Sequence, residues 1–244
     1  MTIKKQLTIT IFLLAAVFLL FEYSNLDIAV QDLFYDKTAA SWILVHKKNS
    51  LLDILFYTGI KVAIIIFGLA ILFLYIYSFK NSPKGLILKE YRKGLFIVWS
   101  ALIIIPLTIG TLKATTNTPC PCHTKHYGGK YPYKKVLESM PKEITKKFKC
   151  FPAGHASGGF ALLSLFFLFK TKKNKHRTVF GALIIGWSMG LYKMLIGDHY
   201  LSHTVITMLA SWLITLILYI ASSMLHKPKR QQSALKMVKG QRGQ

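Results

Sequence analysis

The chain alternates between long apolar runs and short polar segments that carry most of its lysines. A helix needs about 20 apolar residues to cross the bilayer core, and most of the runs reach or approach that length. The pattern therefore predicts an all-α, polytopic membrane protein with six transmembrane helices. The six runs are Leu7–Phe21, Leu51–Phe79, Gly94–Leu112, His155–Phe169, Thr178–Leu195 and Thr204–Leu225.

Local features refine three of these runs. The fourth run is short, which predicts a helix that is tilted or begins below the membrane surface, and its Gly158, Gly159 and Ala161 indicate close packing against other helices. Pro106 predicts a kink in the third helix. The first run lacks a small-residue cleavage site after it, so we expect a retained helix rather than a signal peptide.

The charge distribution gives an orientation. The chain has 32 Lys and Arg against 9 Asp and Glu, for a net charge of +23. A chain this basic binds either nucleic acid or membranes, and basic residues that fall between apolar runs favour the membrane and exclude nucleic acid. Eighteen Lys and Arg lie on the side of the two termini, which the positive-inside rule makes cytoplasmic. The nine lysines of the long opposite loop weigh less, since long loops translocate largely regardless of charge.

We divide the chain into three regions on this basis. Residues 1–93 contain the first two helices, an outer loop and a basic cytoplasmic loop. Residues 94–225 contain helices three to six and the outer loop 113–154, and we expect this region to hold the functional core. Residues 226–244 form a basic cytoplasmic tail that suits anionic headgroups.

Two segments at the outer side carry candidate chemistry. Gly154 and His155 stand where a polar loop becomes an apolar helix, and the free N–H groups of a first helical turn bind anions. His199 and His203 are four residues apart, so on a helix they share a face and one can orient the other. Taken singly, each segment is equally compatible with a turn or helix end near the headgroups.

Two lysines lie at the same predicted level. Lys193 is an ionisable residue near the outer end of the fifth helix, where it marks a site or extends to the interface. Lys113 directly follows the third helix and could be an ordinary interfacial lysine. Together, however, these lysines and histidines are of types that bind or transfer a phosphoryl group. No acidic cluster accompanies them, which favours a mechanism without metal or cofactor.

The three cysteines all fall in the long outer loop. An extracytoplasmic loop permits a disulfide, and three cysteines leave one thiol over. Cys120 and Cys122, with His123 and His126 nearby, could instead hold zinc, although a fourth well-spaced ligand pair is missing. Unpaired thiols are the third alternative.

The ordered motifs resemble those of the type-2 phosphatidic acid phosphatase superfamily, which also includes the vanadium haloperoxidases. That family has Lys, six residues, Arg-Pro; then Pro-Ser-Gly-His; then Ser-Arg, five residues, His, three residues, Asp. This chain has Lys113 followed after six residues by Cys120-Pro121, then Pro152-Ala153-Gly154-His155, then Lys193, five residues, His199, three residues, His203. The similarity covers about residues 94–225.

The chain departs from the family pattern at four positions. Cys120 stands in place of an arginine and Ala153 in place of a serine hydroxyl, while Lys193 keeps the charge of the usual arginine without its bidentate fork. His203 replaces the aspartate that orients the nucleophile. The comparison suggests a variant site in which a Cys120–Cys150 disulfide ties the first motif to the second.

The resemblance implies roles for the residues at the motif positions. His199 would be the nucleophile, held by His203, and His155 the general acid and base. Lys113, Lys193 and the N–H groups at Gly154 would bind the phosphate. The implied protein is a metal-independent lipid phosphatase of a bacterial cytoplasmic membrane with an extracytoplasmic site.

The sequence does not choose the lipid. Candidate substrates are lipid A, undecaprenyl pyrophosphate, phosphatidic acid and phosphatidylglycerol phosphate. Two other functions use the same residues: a lipid phosphotransferase, and a lipid-binding or transport protein with a degenerate site. A haloperoxidase is disfavoured because those relatives are soluble.

Overall fold

A computed structural model describes residues 1–44 and 50–225, and it is mainly helical. The basic tail predicted at 226–244 lies outside these residues. The helices are α1 (Ile3–Tyr23), α2 (Leu26–Gln31), α3 (Leu51–Tyr77), α4 (Pro83–Lys89), α5 (Arg92–Thr115), α6 (Gly154–Ala161), α7 (Lys172–Leu195) and α8 (Leu201–Leu225). A two-stranded antiparallel hairpin, β1 (Tyr35–Asp36) and β2 (Ser41–Trp42), lies between α2 and α3.

Within the part of the chain that the structure describes, five helices are long and apolar enough to cross a membrane: α1, α3, α5, α7 and α8. Large apolar side chains such as Phe12, Ile66 and Leu107 are exposed on their outer faces, as expected of surfaces that face lipid. The chain is therefore an all-α, multi-pass membrane protein. The fourth apolar run forms α6 and a 3-10 turn, Leu162–Phe167, which together are shorter than a full span, so the count of six spans stays a prediction.

The short helix α6 lies at the centre of the bundle, in contact with α3, α5, α7 and α8. Ala156, Phe160 and Ala161 on it are fully buried. A Cβ atom at Gly159 would lie 2.7 Å from the Cα of Gly186 on α7. Only glycine allows the two backbones to approach this closely, which explains the small residues of this run.

The long segment between α5 and α6 is held at both ends. The backbone N–H of Cys150 donates to the carbonyl of Thr118, and that of Phe148 donates to the side chain of Asn117. Cys120 and Cys150 are joined by a disulfide. These contacts bring the end of α5 next to the start of α6, where the candidate site lies.

Candidate active site

Three histidines form a continuous line of side chains. The Nδ1 of His155 lies 3.3 Å from the Nε2 of His199, and the Nδ1 of His199 lies 3.3 Å from the Nδ1 of His203. His199 and His203 are almost completely buried, whereas His155 is half-buried. The central imidazole therefore has a neighbour on each ring nitrogen.

Backbone geometry brings these histidines together from two separate parts of the chain. His155 is the second residue of α6, His199 lies in the turn between α7 and α8, and His203 is in the first turn of α8. The N–H of Ala153 donates to the carbonyl of His203 at 3.1 Å, which ties the start of α6 to α8.

The turn that carries His199 depends on a glycine. Gly197 has φ +76°, and a Cβ atom there would lie 2.3 Å from the ring of Trp42. The N–H groups of Asp198 and His199 both donate to the carbonyl of Lys193, at 2.8 and 3.2 Å. The end of α7 thus directly positions the central histidine.

The side chain of Lys193 is buried beside this line. Its Nζ donates to Oδ2 of Asp198 at 2.9 Å and lies 4.7 Å from the ring centroid of Tyr57. Asp198 is partly exposed, and its carboxylate pairs with the buried ammonium. Tyr57 was not predicted as a site residue, yet its ring also packs edge-on against His155 at 4.7 Å.

Lys113 approaches the start of α6 from the last turn of α5. It lies inside that helix, which ends at Thr115, rather than after it as the sequence suggested. Its Nζ is 3.9 Å from the position of a Cβ atom at Gly154. Ala153, the residue before α6, makes no side-chain capping bond, so the first-turn N–H groups have no side-chain partner and an ammonium stands beside them.

The environment keeps the central histidine neutral. Burial lowers the pKa of His199 well below its ordinary value, and the neighbouring His203, His155, Lys113 and Lys193 lower it further. A neutral imidazole has a lone pair on one nitrogen and a proton on the other. His199 can therefore donate from Nδ1 while Nε2 stays free to attack.

The cysteines bear on the alternative of a metal site. Ligand atoms of Cys150, His199 and His203 lie within 4.8 Å of one another, but a cysteine binds zinc as a thiolate and the sulfur of Cys150 is engaged in the disulfide. Of the zinc ligands considered from sequence, Cys120 is in the same disulfide and His126 pairs with Asp32 at 2.9 Å.

A further polar contact supports the start of α8 from far away in the sequence. Asp27 on α2 accepts hydrogen bonds from the N–H and hydroxyl of Ser202, at 2.8 and 2.6 Å. Burial raises the pKa of Asp27 to about 6. Nothing in the sequence pattern links these two residues, which are 175 positions apart.

Comparison with known proteins gives one match. A family model described as the PAP2 superfamily matches residues 94–227, which is more than half of the chain and includes the three motifs. The searches of curated proteins and of solved structures gave no match.

Proposed function

The chain belongs to the PAP2 superfamily, which suggests phosphatase activity, and on that premise we propose that it hydrolyses the phosphate esters of lipids. The observation that carries the proposal is the line of three histidines, with lysines on two sides. The lipid substrate suits a site at one end of helices that cross a membrane. We further propose that this end is extracytoplasmic and both termini cytoplasmic, in a bacterial inner membrane.

The proposed nucleophile is Nε2 of His199. With Nδ1–H of His199 donating to His203, the lone pair of Nε2 is directed towards His155, which is where a phosphate would bind. The two nitrogens are only 3.3 Å apart, so a phosphoryl group must separate them. His155 is the side chain that can move, since it is half-buried and borders a cavity.

The reaction then has two steps. His199 forms a bond to phosphorus while the bond to the lipid oxygen breaks, and His155 gives its proton to that oxygen. His155 next removes a proton from water, the water oxygen bonds to phosphorus, and the phosphorus–nitrogen bond breaks. Lys113, Lys193 and the first-turn N–H groups of α6 stabilise the equatorial oxygens in both steps.

Phosphate release tests the proposal. Detergent-purified protein is assayed with EDTA against a panel of lipid phosphates, with His199→Ala and His176→Ala beside the wild type. His176 is an exposed histidine at the other end of α7 and serves as the matched control. We expect release from the wild type and the control alone; equal release by His199→Ala would refute the proposal. Transfer of phosphate to an added acceptor lipid, without free phosphate, would identify a phosphotransferase.

A further inference from the structure

A cavity of about 300 Å³ opens beside His155, and His199 is not among the residues that line it. Its lining is mostly apolar, with Ile64 and Ile65 from α3 and Leu102 and Pro106 from α5. In the proposed reaction His155 protonates the leaving oxygen. A mostly apolar cavity beside this proton donor can hold the lipid part of the substrate.

One charged residue, Lys61, lines this cavity. It lies within the candidate span Leu51–Tyr77, about 15 Å along the axis from the start of the helix. Among residues 1–44 and 50–225, no Asp or Glu forms a salt bridge with it. An ammonium within a span is costly and marks a site when no protein group neutralises it.

The local helix geometry directs this face of α3 towards the site. Ile54–Thr58 form a π-helical turn before the regular helix resumes at Gly59, and such turns are frequent at functional sites. Tyr57 lies in this turn and packs against His155. Lys61 is four residues later, on the same face. Both positions precede the region that the family model matches.

We propose that Lys61 binds a negative charge on the leaving group, so that the preferred substrate is a lipid whose leaving group is itself an anion. This rests on the proposed function. When the terminal phosphorus passes to His199, the breaking phosphorus–oxygen bond leaves its electron pair on the bridging oxygen. In a lipid diphosphate that oxygen belongs to a lipid phosphate, whose charge Lys61 neutralises. In a phospholipid with a phosphodiester near its terminal phosphate, the leaving group carries the same negative charge further from the bridging oxygen.

The charge balance of the site agrees with this assignment. Lys193 pairs with Asp198 and Lys113 lies beside Gly154, whereas Lys61 has no salt bridge among residues 1–44 and 50–225. A single phosphate group is served by Lys113 and Lys193 in the proposed mechanism. The third ammonium lines the cavity beside His155, where a second anionic group of the substrate would pair with it.

Paired substrates test the inference. In the first pair, turnover of farnesyl diphosphate is compared with turnover of farnesyl monophosphate. In the second pair, phosphatidylglycerol phosphate is compared with phosphatidic acid. Both pairs are measured with the wild type, Lys61→Met, Lys61→Arg and the control Lys84→Met on α4. Lys61→Met loses a hydrogen bond to a charged group. Its kcat/KM should therefore fall about 10- to 100-fold for the first member of the pair whose charge spacing the site accepts. The second members should change little, and Lys61→Arg should restore the loss. The pair that shows the loss identifies the spacing between the terminal phosphate and the charge on the leaving group in the preferred substrate.

A binding measurement separates this inference from the proposed function. Affinity for farnesyl methylenediphosphonate is measured with His199→Ala and with His199→Ala/Lys61→Met. We expect the second variant to bind about 10-fold more weakly or worse, whether or not the wild type hydrolyses any lipid. Equal binding by both, or an equal loss of turnover on both members of each pair, would overturn the role of Lys61. Absence of hydrolysis with Lys61-dependent binding would instead refute only the proposed function.

Discussion

Removing the disulfide between Cys120 and Cys150 should cost both stability and turnover. The bond closes a loop with a sequence separation of 30 residues, and the loop-entropy relation gives about 3.6 kcal/mol for that length at 25 °C. For a chain of this size, this corresponds to a fall in Tm of about 7–14 °C. Turnover should fall as well, because the bond ties the segment after Lys113 to the segment before His155.

Thermal unfolding of the detergent-purified protein measures the fall in Tm of Cys120→Ala/Cys150→Ala. The matched control is Cys122→Ala, since Cys122 is the free cysteine. Reductant should lower the Tm of the wild type and of the control and leave the double variant unchanged. A double variant that melts within about 2 °C of the control, or labelling of three thiols in the wild type without reductant, would refute the reasoning.

Three other substitutions probe the supports of the site. Gly197→Ala should destabilise the protein by at least about 2 kcal/mol, measured by thermal unfolding, because of its positive φ and the clash with Trp42. Asp27 has a folded-state pKa of about 6 against 3.8, so its contribution to stability is present at low pH and is lost as pH rises through 6. Between about pH 4 and 7 the free energy of unfolding of the wild type should therefore fall by up to about 3 kcal/mol relative to that of Asp27→Asn, which keeps the bond to Ser202. The same pH dependence of this free energy in both proteins would contradict the prediction. His203→Ala should lower kcat about 10- to 100-fold with little change in KM, because it leaves the buried Nδ1–H of His199 unpaired. His203→Asp should recover most of the lost kcat in steady-state assays.

Hydropathy was sufficient to predict the five long apolar helices, because a bilayer imposes a minimum length of apolar chain, but it did not indicate the short helices α2 and α4. It was less informative about where helices end. The fifth run was predicted to begin at Thr178, whereas α7 begins at Lys172. The hydroxyl of Thr171 caps the helix by accepting from the N–H of Asn174, and this polar turn extends α7 beyond the apolar run.

The candidate site was predictable only where its residues follow a spaced motif. The spacing of His199 and His203, together with the order of the three motifs, was enough to indicate residues that the fold brings together. Tyr57 gave no such signal, because an aromatic residue in an apolar run is typical of any transmembrane helix. Lys61 did give one, as a charge within an apolar run, but its relation to His155 depends on how α3 packs. The pairing of Asp27 with α8 depends on tertiary structure alone.

The central claim is that His199 carries the phosphoryl group. Wild type, His155→Ala, His199→Ala and the control His176→Ala are mixed with a phosphate-labelled substrate that has a good leaving group, quenched within one turnover, and the label is located by mass spectrometry. The account predicts acid-labile label on His199 in the wild type and control. More should accumulate in His155→Ala, which cannot activate water, and none should form in His199→Ala. Label on another residue, or normal turnover by His199→Ala, would contradict it.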